Sequence, residues 1–276
     1  MPTVAILAGK GNLPFVAAQG ALARGYRVIV VGLLGEVDPE LAQLVHASYP
    51  VPLGQWQSII DILKMEKVEN VYLVGGVSKG LLFGKLQLDG RIQRLLAGLR
   101  EKNDNAVIEA FVNDLAKEGL IVRPQTELME DIMPGPGVLT SKQPSSRDWA
   151  DIRCGWRIAK AVAGLDIGQT VVVKDGAVLA VEAIDGTDAT ISRGGRLAQG
   201  GGVVVKVAKP LQDMRFDVPT IGQSTLETAI EAGIQAIALE AGKTIVMDKG
   251  ALIRRADAAG VAIALVDEEN MGSAGM

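Results

Sequence analysis

Short apolar runs alternate with amphipathic stretches through the first 75 residues of this 276-residue chain. Each run is long enough for a buried strand, and the stretches between them carry helical spacing of apolar positions. The predicted strands cover residues 3–7, 26–31, 48–51 and 70–74, and the predicted helices start at Pro14 and cover residues 38–47 and 56–65. Strands that alternate with helices form parallel βαβ units, so the pattern predicts an α/β fold whose ligand edge lies at the carboxyl ends of the strands.

A glycine-rich turn, GKGNLP, follows the first strand and begins like a dinucleotide-binding fingerprint. Pro14 takes the place of the third glycine, and Glu36 comes several residues too late after the second strand to bind a ribose hydroxyl. The pattern therefore argues against a nicotinamide-linked oxidoreductase. Gly9 and Gly11 are predicted to let backbone N–H groups approach a phosphate or nucleotide, with a purely structural turn as the alternative. The loop GGVSKG, residues 75–80, has a similar character and adds a serine and a lysine.

Paired prolines and glycines in MPGPG, residues 133–137, mark the predicted domain boundary because they stop both helix and sheet. Two helical patterns and a short strand pattern precede this segment. The sequence thus predicts a parallel-sheet domain over residues 1–134 and a second domain over residues 138–276.

The second domain mixes hairpin and helical signals, which predicts a mixed α/β (α+β) architecture. Asp175-Gly176 between two β-rich runs predicts a hairpin, and Ser224 three residues before Glu227 predicts a capped helix. The other predicted elements are helices over residues 147–164, 188–197 and 249–259 and strands from Val203, over 244–247 and over 261–266.

Residues 203–222, VVVKVAKPLQDMRFDVPTIG, begin as an apolar strand and then alternate charged and apolar side chains. Asp213, Arg215 and Asp217 share one parity. In an extended segment bracketed by two prolines, alternation would place these two carboxylates and one guanidinium on the same face.

A second acidic group lies upstream in VEAIDGTD, with Glu182, Asp185 and Asp188, and Lys206 and Lys209 separate the two groups. Carboxylates beside cations suit a divalent metal and a phosphate-bearing substrate. This set of side chains is typical of metal-assisted phosphoryl transfer or hydrolysis. The alternative is a set of surface salt bridges.

The formal net charge of −4 and the isoelectric point near 5.2 indicate no basic surface for nucleic acid. The chain has one cysteine, Cys154, and one histidine, His46, which excludes an intramolecular disulfide and the imidazole-rich sites of zinc hydrolases. Any bound metal is expected to be a hard cation with oxygen ligands, Mg²⁺ with Mn²⁺ as a substitute. Without a signal-peptide pattern or an apolar run of ~18 residues, we expect a cytoplasmic protein.

Three segments of the second half together resemble the C-terminal domain of LpxI-type UDP-2,3-diacylglucosamine pyrophosphatases. They are LDIGQTVVVKDGAVLAVEAIDGTDATISRGG, VKVAKPLQDMRFDVPTIG, and EAGKTIVMDKG with the ADAAG that follows it. AGKGNLP, GGVSKG and KNDNAVIEAFVNDLAKEGL resemble the first domain of that family. The resemblance covers nearly the whole chain. One departure is Asp104-Asn105, where the family often has two aspartates.

This resemblance implies a Rossmann-like N-terminal domain and Mg²⁺-dependent hydrolysis of the pyrophosphate in UDP-2,3-diacylglucosamine. The products would be UMP and 2,3-diacylglucosamine 1-phosphate, an intermediate of lipid A synthesis in Gram-negative bacteria. It also implies a cytoplasmic or peripherally membrane-associated protein that binds its glycolipid in the cleft between two domains, and it leaves a homodimer open. The essential aspartate of the family motif R-x-D-x-P-T-I-G falls on Asp217.

The predicted site residues combine this resemblance with charge and proximity in the sequence. Asp217 is the predicted metal ligand or water-orienting base, Asp213 and Glu182 are predicted catalytic helpers, and Asp213 and Asp188 are predicted further metal ligands. The predicted substrate contacts are Gly9, Gly11, Thr187, Asp188, Lys206, Lys209, Gln212 and Arg215.

The stretch LLFGKLQLDGRIQRLLAGL, residues 81–99, is a candidate wall for acyl chains or a membrane-facing patch, with ordinary core as the alternative. A different class of function is a non-catalytic protein that binds a nucleotide sugar or glycolipid on the same scaffold. Turnover that depends on Mg²⁺ and on Asp217 separates the enzyme from the binding protein.

Overall fold

The computed structural model describes residues 1–76, 87–99 and 104–272, and for residues 104, 105 and 272 the backbone alone. Ser78 and Lys79, residues 81–86 of the apolar stretch, and the side chains of Asp104 and Asn105 lie outside the described residues.

The chain divides into two compact units. The first unit comprises Met1–Met129 and Met214–Phe216, and the second comprises Glu130–Asp213 and Asp217–Met276. Each unit has a sheet and a hydrophobic core of its own.

The first unit is built on a parallel sheet with the strand order β3-β2-β1-β4-β5. The strands are β1 (Thr3–Ala8), β2 (Arg27–Leu33), β3 (Ala47–Val51), β4 (Asn70–Val74) and β5 (Ile121–Val122). The helices are α1 (Leu13–Ala23), α2 (Leu41–Leu44), α3 (Trp56–Met65), α4 (Gly90–Ala97) and α5 (Asp104–Lys117), followed by a 3₁₀ turn at Gln125–Leu128. The predicted parallel α/β arrangement is confirmed.

The helix predicted over residues 38–47 is shorter in the structure, where α2 covers only Leu41–Leu44. Val45 already has an extended backbone, and Ala47 pairs with Ile29 as the first residue of β3. Pairing with the sheet therefore ends the helix early, because the chain must become extended before it reaches the neighbouring strand.

Apolar side chains are buried on both faces of this sheet, and those of one face form a core cluster with α3, α4 and α5. The five central residues of β2 are all buried, as expected for a parallel strand covered on both sides. Phe216 joins the same core from the second half of the chain and is 7% exposed. The N–H of Gln125 donates to the carbonyl oxygen of Met214 at 3.1 Å. The first unit thus incorporates a three-residue segment that is distant in sequence.

The second unit contains a mixed sheet. Its strands are β6 (Gly137–Val138), β7 (Thr170–Lys174), β8 (Ala177–Val181), β9 (Val203–Lys206), β11 (Ala236–Glu240) and β13 (Ala262–Val266). Their order in the sheet is β6-β13-β11-β9-β7-β8. Strands β9, β11 and β13 are parallel, β7 is antiparallel to both β9 and β8, and β6 is antiparallel to β13. A separate parallel pair joins β10 (Thr220–Ile221) to β12 (Ile245–Val246).

The second unit also contains helices between its strands and at its C-terminal end. They are α6 (Ser146–Gly164), α7 (Thr187–Ala198), α8 (Gln223–Glu231), α9 (Lys249–Ala259) and α10 (Glu268–Gly272), with a 3₁₀ turn at Glu130–Ile132. Two core clusters made of strand and helix side chains form this unit's interior. The predicted mixed α/β architecture is confirmed.

The hairpin predicted at Asp175-Gly176 is also confirmed, because β7 and β8 pair antiparallel across these two residues. Both residues have left-handed φ angles, 54° and 75°, which is the backbone of a type I′ turn. Their N–H groups donate to the buried carboxylate of Asp151 at 2.9 and 2.7 Å. These two bonds fasten the turn to α6.

One strand of the second unit was not predicted, and one local expectation was wrong. Strand β11 was not predicted, since its run AIALE follows a helical pattern and contains residues that suit either structure. Ser224 does not cap α8, which begins after Gly222 with no side-chain capping bond. The Ser224 hydroxyl instead donates to Asp188 Oδ2 at 3.2 Å.

The extended segment predicted over residues 203–222 does not form. Strand β9 ends early, and the chain then turns to carry Phe216 into the core of the first unit. Asp213 and Asp217 belong to the second unit, whereas Arg215 belongs to the first. The common strand face predicted for these three charges is therefore wrong, because burial of Phe216 overrides the alternating pattern.

Candidate active site

In the second unit, charged and hydroxyl side chains gather at one edge of the mixed sheet. Lys206 and Glu240 are the last residues of the parallel strands β9 and β11. The antiparallel β7 begins at this edge with Thr170, and Glu182 directly follows the end of β8. The carboxyl ends of parallel strands are the usual location of ligand sites in such sheets. We call the following group the strand-end site: Thr170, Glu182, Thr187, Asp188, Lys206, Lys209, Gln212 and Asp217.

The side chain of Lys206 is buried within this edge, and the residue is 7% exposed. Its Nζ donates to Thr187 Oγ1 at 2.7 Å and lies 3.5 Å from Thr170 Oγ1. Among the described residues, these hydroxyls rather than a carboxylate are its partners at hydrogen-bond distance. Burial lowers the pKa of Lys206, and three nearby negative charges oppose this effect without cancelling it. The three acids are Glu182, Asp188 and Asp217.

Glu182 is bound to the same hydroxyl group. Thr187 Oγ1 donates to Glu182 Oε1 at 2.8 Å, and the N–H of Gln169 donates to Oε2 at 3.2 Å. Gly168 packs so closely here that a Cβ would lie 2.2 Å from the carbonyl oxygen of Glu182. Lys206, Thr187 and Glu182 therefore form a continuous hydrogen-bonded row held by close backbone packing.

Asp188 joins the first turns of two helices. It is the second residue of α7, and its oxygens accept hydrogen bonds from the hydroxyls of Thr225 at 2.7 Å and Ser224 at 3.2 Å. A carboxylate is favoured beside helix N-termini by the helix dipole. Asp188 therefore has a structural role in this unit, and its predicted roles as metal ligand and substrate contact stay predictions.

Asp217 presents an accessible carboxylate, with a side chain that is 61% exposed. Its φ angle of 52° lies in the left-handed region, which aspartate and asparagine tolerate better than most residues. Lys209 Nζ lies 3.6 Å from this carboxylate and 2.6 Å from that of Asp166. Burial acts to lower the pKa of Lys209, but hydrogen bonds and charges of the two acids raise it overall. Lys209 is thus a cation held between two carboxylates.

The side-chain amide of Gln212 fixes the backbone that carries Lys209 and Asp217. Its Oε1 accepts hydrogen bonds from the N–H of Lys209 at 3.3 Å and from Gln169 Nε2 at 3.1 Å. Its Nε2 donates to the carbonyl oxygens of Asp213 at 3.3 Å and Asp217 at 3.1 Å. One amide therefore closes the turn between Lys209 and Asp217.

Three predicted site residues lie in the first unit. Arg215 stacks its guanidinium 5.7 Å from the ring centre of Phe216. A Cβ at Gly9 would lie 2.3 Å from the carbonyl oxygen of Gly76, so glycine is required for the two loops to pack. Gly11, at φ 100°, borders an open depression of about 460 Å³ together with Asn12 and Glu36. This depression lies after the carboxyl ends of β1 and β2, where a ligand is expected.

Two family models cover this chain. The LpxI N-terminal domain matches residues 3–132, and the LpxI C-terminal domain matches residues 135–264. The chain belongs to the LpxI family. The resemblance inferred from the sequence motifs is thereby confirmed.

A curated relative in the LpxI family agrees with this assignment. The UDP-2,3-diacylglucosamine pyrophosphatase LpxI of Caulobacter vibrioides is 34% identical over 280 residues, which cover 98% of this chain and 99% of the relative.

Solved structures give much weaker likenesses. The biotin carboxylase domain of Hydrogenobacter thermophilus 2-oxoglutarate carboxylase is 12% identical, covers 63% of this chain and 35% of that one, and has a TM-score of 0.29. N5-carboxyaminoimidazole ribonucleotide synthetase from Thermotoga maritima is 15% identical, covers 67% and 42%, and has a TM-score of 0.28. This chain thus spans less than half of either protein, and such likenesses carry no conclusion.

Within the described ranges of this LpxI-family chain, no three acidic, histidine or cysteine side chains converge in a way that could hold a metal ion. Asp217, Asp213 and Asp188 therefore do not form a ready three-carboxylate cage there. Mg²⁺ is commonly held by one or two carboxylates together with substrate phosphates. The exposed oxygen donors of Asp217 fit that kind of site. Across the same ranges, each helix is too short or too polar to span a membrane.

Sequence reasoning missed several residues at this edge of the LpxI C-terminal domain. Lys160, on α6, lies 3.1 Å from both carboxylate oxygens of Glu240, which is 2% exposed. Asp166 and Gln169 contact Lys209 and Gln212. A charge that ends the apolar run AIALE is a signal available in the sequence, since glutamate is rarely buried unless it is paired. Lys160 carries no such signal on its own.

Proposed function

We propose that this chain hydrolyses the pyrophosphate bond of UDP-2,3-diacylglucosamine and releases UMP and 2,3-diacylglucosamine 1-phosphate, a step of lipid A synthesis. The observation that carries the proposal is the full-length match to the Caulobacter vibrioides pyrophosphatase, 34% identical over 98% of this chain. The substrate would be a nucleotide-linked glycolipid, which this chain would meet in the cytoplasm or at the membrane surface.

The charges of the strand-end site support this reaction. Lys206 and Lys209 are cations restrained by hydroxyl and carboxylate partners, and a diphosphate supplies the negative charge that they would neutralise. In phosphoryl chemistry most of the rate comes from positioning and charge compensation. Fixed cations at the edge of a rigid sheet supply both.

Asp217 is the residue that we assign to the water or the metal. Its carboxylate is accessible, yet its backbone is fixed by the bond from Gln212 and its charge is balanced by Lys209. A restrained, exposed carboxylate can orient a water molecule by accepting a hydrogen bond from it, and can then take its proton as a general base.

The proposal includes Mg²⁺, with Mn²⁺ as a substitute. Asp217 would hold the ion together with phosphate oxygens of the substrate, since the described residues supply no cage of three carboxylates. When bound, such an ion neutralises charge on the phosphate oxygens and the leaving group. Lys206 and Lys209 would compensate the remaining charge.

The test is release of UMP from UDP-2,3-diacylglucosamine, with Mg²⁺ and with excess chelator, by the wild type and by Asp217→Asn. Asparagine removes the negative charge but tolerates the φ angle of 52°, whereas alanine adds roughly 1 kcal/mol of backbone strain. We expect Asp217→Asn to lower kcat about a thousandfold, within the range for loss of a general base, with an unchanged melting temperature.

Asp166→Asn is the matched control, because Asp166 also has a left-handed φ, 58°, and pairs with the same lysine. Loss of a half-exposed ion pair should lower kcat no more than about fivefold. Equal losses in both variants would contradict the special role of Asp217. A folded wild type that binds the substrate without releasing UMP would favour the non-catalytic binding protein.

A further inference from the structure

In the second unit, the buried ion pair of Lys160 and Glu240 is hydrogen-bonded to the backbone N–H and carbonyl groups of one residue, Ala208. Glu240 Oε2 accepts a hydrogen bond from the N–H of Ala208 at 2.8 Å. Lys160 Nζ donates to the carbonyl oxygen of Ala208 at 3.1 Å. Ala208 follows β9 by two residues and directly precedes Lys209. The pair therefore acts on the backbone at the start of the turn that carries the strand-end site.

The two side chains are also bound to each other inside the protein. Lys160 Nζ lies 3.1 Å from each oxygen of Glu240, and their side chains are 15% and 3% exposed. The ammonium also lies 5.5 Å from the ring centre of Trp156. A second lysine, Lys243, contacts Glu240 Oε1 at 2.9 Å from the exposed side. Glu240 thus has two cationic partners, and Lys160 is the one that reaches Ala208.

Stability alone is a weak explanation for such a pair. Removing two charges from water offsets most of their attraction, and apolar replacements of similar volume are often as stable or more stable. A buried pair aimed at one backbone residue has a more specific effect, since it limits where the next residues can lie. Those residues are Lys209 to Gln212.

The turn after Ala208 is hydrogen-bonded to Asp217 through the Gln212 side chain. The N–H of Gln212 donates to the carbonyl oxygen of Lys209 at 3.1 Å, and the Gln212 amide returns to the N–H of Lys209 and to the carbonyl of Asp217. Lys209 Nζ then reaches the Asp217 carboxylate at 3.6 Å. A shift of Ala208 would therefore be passed on to both charges of the site.

We propose that Lys160 and Glu240 form a positioning pair that fixes Ala208 and the turn of residues 208–212, and so sets the place of Lys209 and Asp217 for the reaction. Neither side chain is assigned a contact with the substrate. The proposal rests on the proposed function for its kinetic consequence, while the restraint on the turn stands apart from it.

The experiment compares Lys160→Met with Lys243→Met. Each substitution removes one cationic partner of Glu240 and leaves the other, but only the first removes a bond to Ala208. We expect Lys160→Met to lower kcat at least about tenfold with KM within about threefold, since small displacements of reacting groups can lower rates up to about a hundredfold. Lys243→Met should keep both constants within about twofold.

A readout without substrate accompanies the kinetics. In hydrogen exchange followed by mass spectrometry, peptides that contain residues 208–212 should exchange about tenfold faster in Lys160→Met than in the wild type. The same peptides should be unchanged in Lys243→Met. A purely structural role would lower the melting temperature and leave kcat of the folded protein unchanged.

Glu240→Asp provides a second route if Lys160→Met fails to fold. It keeps the negative charge for both lysines but withdraws the carboxylate from the N–H of Ala208 by one methylene, so the same loss of kcat and faster exchange are expected. The proposal is overturned by wild-type kcat in these variants, by a lower kcat without faster exchange, or by equal effects in Lys243→Met. If the wild type releases no UMP, the proposed function fails, and the exchange rates alone decide whether the pair fixes the turn.

Discussion

Arg91 in the first unit and Lys206 in the second have different hydrogen-bond partners. In the first unit, Arg91 Nε lies 2.6 Å from Asp114 Oδ2, and Trp56 Nε1 donates to the same oxygen at 2.9 Å. In the second unit, the described partners of the buried Lys206 ammonium at hydrogen-bond distance are hydroxyl groups of Thr187 and Thr170. The Arg91 guanidinium is thus paired with an anion, whereas the Lys206 ammonium is hydrogen-bonded to neutral groups.

The pKa shifts of Asp114, Arg91 and Lys206 reflect the same difference. Burial acts to raise the pKa of Asp114, but hydrogen bonds from Arg91 and Trp56 outweigh it and hold the pKa below its usual value. The hydrogen bond to Asp114 is the main cause of a raised pKa for Arg91. Burial lowers the pKa of Lys206 despite the acids nearby. Opposite charges therefore compensate the burial of Arg91 and Asp114, whereas burial of the Lys206 charge is only partly compensated, a situation that is common at functional sites.

Of the substitutions that test this comparison, replacement of Lys206 by methionine should have the largest effect. Lys206→Met keeps an unbranched side chain, shorter by its terminal heavy atom, and removes the charge that faces the acids of the site. We expect kcat/KM for UMP release to fall about a hundredfold, comparable to the loss of one preorganised electrostatic group. The melting temperature should stay the same or rise, since a desolvated charge is replaced by a buried apolar chain.

Lys174→Met is the control for this substitution. Lys174 ends β7 at the opposite edge of the same sheet, where its Nζ donates to the carbonyl oxygens of Ala198 and Gly200. It should leave kcat/KM within about twofold. A loss of stability in Lys206→Met with unchanged turnover would reverse the contrast between Lys206 and the Arg91–Asp114 pair.

Asp114→Asn should lower the stability of the first unit, in contrast to the unchanged or raised melting temperature expected for Lys206→Met. The asparagine oxygen can still accept from Trp56, but Arg91 loses a charged partner in a nearly buried position, where its side chain is 15% exposed. We expect the first unit to lose about 2 kcal/mol of unfolding free energy. Its calorimetric transition should fall by about 5–10 °C.

The exposed Asp61 on α3 offers the matched control for Asp114. Its carboxylate accepts a hydrogen bond from Gln57 on the same helix, so Asp61→Asn should change stability by no more than about 0.5 kcal/mol. Equal shifts in Asp61→Asn and Asp114→Asn would mean that the buried pair contributes nothing beyond surface charge.

The fold of both units was largely predictable because local signals and tertiary structure agree there. The strands β1 to β4 follow from apolar runs, and the hairpin follows from Asp175-Gly176, whose left-handed angles suit no other turn as well. Strand β11 was missed because alanine, isoleucine and leucine after a helical pattern do not distinguish strand from helix.

For the candidate site, the sequence predicted several of the charged residues but not how they are arranged. The sequence placed Glu182, Lys206 and Lys209 in one group, and the sheet brings them to one edge. It could not predict the left-handed backbone at Asp217 or the burial of Phe216 in the core of the first unit. It also could not pair Lys160 with Glu240, 80 residues away.

The smallest expected effect is a dependence of the first unit's stability on pH, which comes from the titration of Glu118. Hydrogen bonds from Lys64 and then Arg91 lower the pKa of Glu118 from 4.5 to about 2. A carboxyl group with a depressed pKa in the folded state contributes stability above its unfolded pKa and loses that contribution as the pH falls towards its folded pKa. The first unit should therefore lose stability between about pH 4.5 and about pH 2.

Glu118→Gln isolates this contribution. At pH 7 the transition that Asp114→Asn shifts should lie a few degrees lower in Glu118→Gln than in the wild type, as expected for partly exposed ion pairs. At pH 3 the difference should be smaller, because the wild type has begun to lose the same interaction. Melting curves at pH 7, 5 and 3 measure the difference directly. A gap that widens on acidification would show that Glu118 is not stabilised as a carboxylate by Lys64 and Arg91, and would weaken the view that the ion pairs around Arg91 stabilise the first unit.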